Sequence, residues 1–188
     1  MGASLQPKGV ICMSGITARE FALQEKVPPR AWAVLFTVWF ASVCAAYCQF
    51  KIPPLASWLF PAFRGELDAV VFGTLMSAIA IIGVILAFPA AFIVRKIGLR
   101  NVIVLSMACL AAGGMATSVE VLLAGRLLEG VGIGFVGVAA PSCVTVWFPI
   151  KKRGMALGFW TTWVPIGSVL AFNTVPMMAG AFGYQFPF

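Results

Sequence analysis

The chain is 188 residues long, 61% hydrophobic and only 10% charged, with a mean hydropathy of +1.00. That leaves too little polar surface to cover a water-soluble globule, so the composition predicts a bilayer-embedded protein. The net charge of +7 does not indicate nucleic acid, because the basic residues are scattered between apolar runs, and a chain without histidine lacks the commonest metal ligand and near-neutral proton shuttle.

In chain order, residues 1–30 form a mildly polar tail that breaks at Pro28 and Pro29, expected to be mobile with a short surface helix near Thr17–Glu20. Five apolar segments follow: Ala31 to Phe50, Ala69 to Val94, Asn101 to Ser118, Val121 to Phe148 and Gly154 to Pro176. A bilayer core requires ~20 helical residues, and the second and fourth segments are long enough to need a tilt or kink. The first reads as a true helix rather than a cleavable signal, since about 30 residues precede it. The expected fold class is an all-α membrane protein: a polytopic bundle of five transmembrane helices over residues 31–177, between a cytoplasmic tail (1–30) and an extracytoplasmic tail (178–188).

Lysine and arginine set the orientation. With the N-terminus inside, Lys8, Arg19, Lys26, Arg30, Arg95, Lys96, Arg100, Lys151, Lys152 and Arg153 are cytoplasmic, ten residues against Lys51 and Arg64 outside. The positive-inside rule then predicts a multi-pass protein of the plasma (inner) membrane with its C-terminus outside. The five cysteines, at 12, 44, 48, 109 and 143, imply no disulfide framework. Cys44 and Cys48 stand one helical turn apart, but with no third ligand in view they read as packing residues rather than a metal site.

Small residues at helical spacing mark the faces on which helices approach in lipid. The candidate stripes are Thr37, Ala41, Cys44 and Cys48 in the first segment; Gly73, Ser77, Ala80, Ala87 and Ala91 in the second; and Gly154, Gly158, Thr161, Pro165 and Ser168 in the fifth. Pro165 is expected to kink its helix.

The fourth segment carries the stretch GRLLEGVGIG, with Arg126 and Glu129 inside an otherwise apolar run. Each charge costs ~2.5 to 3.5 kcal/mol at a helix centre. The thirteen Val, Leu, Ile and Phe residues between 121 and 148 return ~4 to 8 kcal/mol, so the segment inserts by a narrow margin. An intramembrane charge faces a bundle interior or a water-filled path, which makes the pair a functional candidate; the structural alternative is an ion pair between adjoining helix faces. Gly130, Gly134 and Gly137 share the arginine's face and let a neighbouring helix come close beside the charge.

From Pro29 onward the chain resembles the N-terminal part of a major facilitator superfamily transporter. Arg126, Gly130 and Gly134 match the family's fourth-helix pattern of an Arg followed four residues later by Gly in a Gly-rich stretch. The loop between helices two and three, AFIVRKIGLR, keeps the family's Lys96, Gly98 and Arg100, whereas Ala91 replaces its first Gly, Arg95 its Asp and Leu99 a basic residue. KIPPL after the first helix, WFPIKKRGMALGFW across the fourth and fifth, and the five-helix spacing make the resemblance more specific than either motif alone, and the overall flavour is similar to the bacterial branch that includes nitrate, nitrite and cyanate porters. The family's fifth-helix antiporter pattern is poorly matched, since TTWVPIGS has Val164 before Pro165, and no arginine stands between 69 and 94 where nitrate porters hold their anion.

The resemblance implies secondary active transport of a small-molecule substrate by alternating access, with protons or another ion as candidates for coupling and no cofactor. It assigns Arg126, Gly130 and Gly134 to coupling or gating, with Glu129 joined to them as the intramembrane charge beside Arg126, and the loop residues Arg95, Lys96, Gly98 and Arg100 to switching. Tyr47, Gln49, Trp160, Trp163 and Asn173 are candidate cavity-lining groups, each equally at home in packing. Family members have about twelve helices in two halves with the substrate between them, so the chain is expected to be an N-terminal portion that lacks the C-terminal half. The alternative function is a small helical scaffold or partner subunit. No catalytic residue or metal site is expected, because nothing beyond Arg126 and Glu129 forms an ionisable pair or ligand cluster.

Overall fold

Two prolines set the start of the first helix. Pro28 caps it in an extended conformation and Pro29 opens it, at a position whose N–H has no helical acceptor to lose, so that α1 runs Pro29–Phe50. The computed structural model describes residues 27–63, 67–114 and 118–183. The expected N-terminal tail, including the helix near Thr17–Glu20, lies outside the described residues apart from its end.

After α1 the chain makes one 3-10 turn, Pro53–Leu55, and a short helix α2, Ala56–Ala62. Then come α3 (Ala69–Ile97), α4 (Leu99–Ala112), α5 (Val119–Trp147), α6 (Ile150–Thr161) and α7 (Trp163–Phe182). Side chains cap the two longest helices: Asp68 accepts from the Val71 N–H at 2.8 Å and Ser118 from the Val121 N–H at 3.3 Å. Gly98 alone separates α3 from α4, with φ 87° and ψ 154° and its N–H bonded to the Val94 carbonyl. A side chain there would be strained, so this glycine is required by the turn.

The chain is an all-α membrane bundle. Among the described residues, four stretches are long and apolar enough to cross a bilayer: Pro29–Ala62, Ala69–Ile97, Val119–Trp147 and Ile150–Phe182. The third expected segment, Asn101 to Ser118, is shorter than anticipated. It folds as the 14-residue α4, ~21 Å long at 1.5 Å per residue, and residues 115–117 lie outside the described set. The last crossing is broken at Thr162, three residues before Pro165, whose ring and missing N–H prevent a regular bond to the Thr161 carbonyl.

α5 is the hub, packed on α3, α4, α1 and α6, while α1 packs mainly on α7 and α5. The small-residue stripes do not choose these contacts as expected. Gly73, Ala80, Ala87 and Ala91 of α3 are exposed, as are Gly154, Gly158, Thr161 and Pro165, and nothing lies within 4 Å of a methyl placed on Gly73, Gly154 or Gly158. α3 instead turns Leu75, Ala78, Ile79 and Ala90 inward, α7 turns Gly167, Ala171, Val175 and Ala179, and α1 buries Ala45 and Ala46 rather than the exposed Thr37. Small side chains permit close approach but do not compel it; the face used is the one that fits its neighbour.

One end of the bundle is basic. Ala31 at the start of α1 packs with Phe148 and Ala156 at the α5–α6 junction, and Leu99 of the α3–α4 junction and Trp147 both pack against one cluster of α1, α4 and α5 residues. Arg30, Arg95, Lys96, Arg100, Lys151 and Lys152 are exposed at this end.

Candidate functional site

At the other end of the bundle lie the charges of α5. Arg126 and Glu129 are 1% and 0% exposed, and their side chains meet on the helix with Nη2 2.8 Å from Oε2. A third group joins them. Lys51, the residue that caps α1, is 2% exposed and places Nζ 2.8 Å from Glu129 Oε1. Counted from the sequence as an outer-loop charge, it is a buried member of the cluster.

The geometry explains why three charges are tolerated. Arg126 Nη1 donates to the Cys48 carbonyl at 3.1 Å. That carbonyl belongs to the last turn of α1, where no intrahelical N–H remains to bond it and the helix carries a partial negative charge. Both cations therefore sit at the negative end of α1, and each also holds one oxygen of the Glu129 carboxylate. Burial of a lone ion is costly, and here each charge is offset by an opposite charge at ion-pair distance. Glu129 lies ten residues into the 29-residue α5, ~15 Å from Val119 at 1.5 Å per residue and so in the half of that helix away from the basic end.

Glycine makes room for the carboxylate. α4 and α5 touch backbone to backbone at Gly113 and Gly125, and a methyl on Gly113 would stand 2.5 Å from Glu129 Cγ. Gly130 and Gly134 serve the opposite contact. A methyl on Gly130 would lie 3.0 Å from Ile82 Cβ, and one on Gly134 would lie 3.2 Å from the Gly83 carbonyl oxygen, so both face α3 rather than Arg126's partners on α1. Gly137 meets nothing within 4 Å.

The other residues singled out from the sequence are spread over the molecule. Arg95, Lys96 and Arg100 are exposed around Gly98 at the basic end. The Tyr47 hydroxyl lies 3.2 Å from Thr174 Oγ1 of α7, Trp160 Nε1 donates to Ser42 Oγ of α1 at 3.0 Å, and the Trp163 ring stands 5.8 Å from that of Trp160. These three join α1 to α6 and α7. Gln49 is half-buried near the end of α1, whereas Asn173 is exposed and bonds its own helix at the Val169 carbonyl, 2.7 Å away. A groove of about 260 Å³ between α3 and α5 is lined by Thr74, Ser77, Ala78, Ile81, Ile82, Leu123 and Leu127, and it includes none of the five. Among the described residues no three His, Cys, Asp or Glu side chains gather as a metal site.

Lys51 is the group that sequence reasoning missed. Its only local signal is its setting, a lysine between Phe50 and the apolar IPPL in a chain with so few charges.

Comparison with known proteins adds an independent line. The sequence profile of the family described as Major Facilitator Superfamily matches residues 29–188. An uncharacterized MFS-type transporter of Mycobacterium tuberculosis is 34% identical over 85 residues, 45% of this chain and 13% of that protein. A sugar transport protein of Oryza sativa subsp. japonica is 29% identical over 99 residues, 50% of this chain and 19% of its own length. A hexose carrier protein of Ricinus communis is 30% identical over 110 residues, 56% of this chain and 22% of its own length. The chain thus spans less than a quarter of the length of these curated relatives. No solved structure matches it.

Proposed function

Since this chain belongs to the Major Facilitator Superfamily, we propose that it is part of a secondary active transporter that moves a small solute across the plasma membrane by alternating access. The observation that carries the reading is the buried ionic cluster in which Arg126 and Glu129 of a family-matched apolar helix meet Lys51. Arg126 and Glu129, packed between the Gly113–Gly125 contact and the Gly130–Gly134 face, form the coupling or gating element. An ionic cluster that joins two helices has discrete made and broken arrangements, which is what coupling requires. The basic end faces the cytoplasm and the cluster lies in the outer half, in keeping with the positive-inside rule. In a complete transporter of this kind, helices beyond this segment supply the other wall of the substrate path.

The family favours transport over a scaffold or an enzyme. For the solute, two relatives bear sugar and hexose names, whereas the expected likeness to nitrate, nitrite and cyanate porters gains no support from the comparisons. A neutral sugar-sized solute is the first candidate, with a proton or another ion as the coupling partner. The test is uptake into proteoliposomes by a complete transporter that carries this segment, measured for hexoses and for nitrate, with and without Arg126→Gln. Hexose uptake abolished by the substitution supports the reading; uptake that survives it unchanged refutes the coupling role.

A further inference from the structure

Lys51 is buried where a helix-ending lysine would ordinarily reach water. The segment after it closes over the same end of the bundle: Ile52, Leu55 and Leu59 are fully buried, in one cluster with Leu75 of α3, Leu122 of α5 and Ala171, Val175 and Ala179 of α7. The two oxygens of Glu129 are divided between two cations of different origin. Oε2 is held by Arg126, three residues away on the same helix, and Oε1 by Lys51, the cap of α1 from which the connector of residues 52–62 departs. One carboxylate thus joins α5 to the connector, while Arg126 joins α5 to the last turn of α1 through the Cys48 carbonyl.

We propose that Lys51 is a positioning residue that holds the Glu129 carboxylate and, by the same contact, latches the connector of residues 52–62 over this end of the bundle. The two ion pairs differ in kind. Arg126 and Glu129 travel together on one helix, so their pair persists through a rigid-body movement of α5. The Lys51–Glu129 pair crosses between elements, so a displacement of α1 against α5 breaks it or drags the connector along. Release of Lys51 then leaves Glu129 paired with Arg126, not stranded, which makes the latch breakable at moderate cost. The functional meaning of the latch rests on the reading of Arg126 and Glu129 as a coupling element, but the positioning can be measured without transport.

The experiment replaces the half-buried Ala56 with cysteine in the full chain, with its five native cysteines changed to serine or alanine. The rate of reaction with a membrane-impermeant maleimide is then followed in membrane vesicles. Lys51→Met is expected to raise the rate roughly tenfold by letting the connector open, and Glu129→Gln to do the same. The two together should exceed neither alone in labelling rate, because each already removes the Lys51–Glu129 contact on which the latch depends. Lys51→Arg should stay within about twofold of the parent, since a guanidinium can hold the same oxygen. An unchanged rate in Lys51→Met, or additive effects in the double variant, overturns the latch. If the neutral variants fail to fold, Glu129→Asp, which draws the carboxylate back by one methylene, should raise the rate and Lys51→Arg, with its longer reach, should lower it again; no rescue overturns the proposal. Loss of the transport reading in the uptake assay leaves these labelling outcomes unaffected.

Discussion

The indole N–H of Trp39 in α1 donates to Thr162 Oγ1 at 2.9 Å, and Thr162 in turn donates to the Phe159 carbonyl at 2.8 Å. Thr162 is the residue at which α6 gives way to α7, so the break in the last crossing is tied to the middle of α1. Trp39→Phe keeps most of the ring and removes the donor. It is expected to lower stability by about 0.5–1.5 kcal/mol, read as a lower unfolding midpoint in detergent. An unchanged midpoint would show that the bond contributes nothing.

The ionic cluster predicts an order of stabilities. Glu129→Gln leaves two buried cations without their carboxylate and is expected to cost about 3–5 kcal/mol. Replacing all three groups, with Lys51→Met, Arg126→Leu and Glu129→Leu together, should be neutral or stabilising, because the desolvation of the ions is removed along with their attraction. Denaturant unfolding of the two variants in one detergent gives the comparison. A triple variant less stable than Glu129→Gln would mean that the cluster is a net source of stability.

Two glycines separate a packed position from an open one. A methyl on Gly113 would crowd Glu129 Cγ and the Gly125 carbonyl oxygen, 2.5 and 2.7 Å away, whereas one on Gly73 meets nothing within 4 Å. Gly113→Ala should cost about 1–3 kcal/mol through overpacking. Gly73→Ala should gain up to about 1 kcal/mol from helix propensity. Thermal unfolding midpoints that move in the same direction for both would contradict the α4–α5 contact.

The α3–α4 junction makes a backbone prediction. Gly98 occupies a region of φ and ψ that is closed to L side chains, so Gly98→Ala should cost about 1–3 kcal/mol. Asn should give no rescue, because its tolerance is for the left-handed helical region and not for ψ 154°. Equal unfolding midpoints for parent and Gly98→Ala would rule out this turn geometry.

Changing Lys151, Lys152 and Arg153 to acids removes three of the basic residues on which the proposed orientation rests. Part of the population should then insert with α6 reversed, and a protease added outside should gain access to the α5–α6 junction. A protection map identical to the parent's would count against the assignment of the basic end to the cytoplasm.

Much of the bundle was legible because hydropathy along a helix is a local property. The long apolar runs around Ala69–Val94 and Val121–Phe148 became α3 and α5 nearly as read, the prolines near residue 28 marked the start of α1, and Pro165 announced the break at Thr162. Arg126 and Glu129 stood out for the same reason, since a charge inside an apolar run needs no alignment to be seen, and their spacing already allowed the pair that the structure contains.

What hydropathy and spacing determined by themselves was membrane insertion, the helical elements and the presence of buried charge. Only the tertiary structure decided which faces meet and who answers the charge. A period of 3.6 residues says which side chains share a face, not which face finds a complementary neighbour, so the stripes through Gly73 and Gly158 turned outward while Gly113 and Gly125 met across α4 and α5. Lys51 became the second partner of Glu129 because the end of α1 packs beside α5, a contact between residues far apart in sequence that no local pattern encodes.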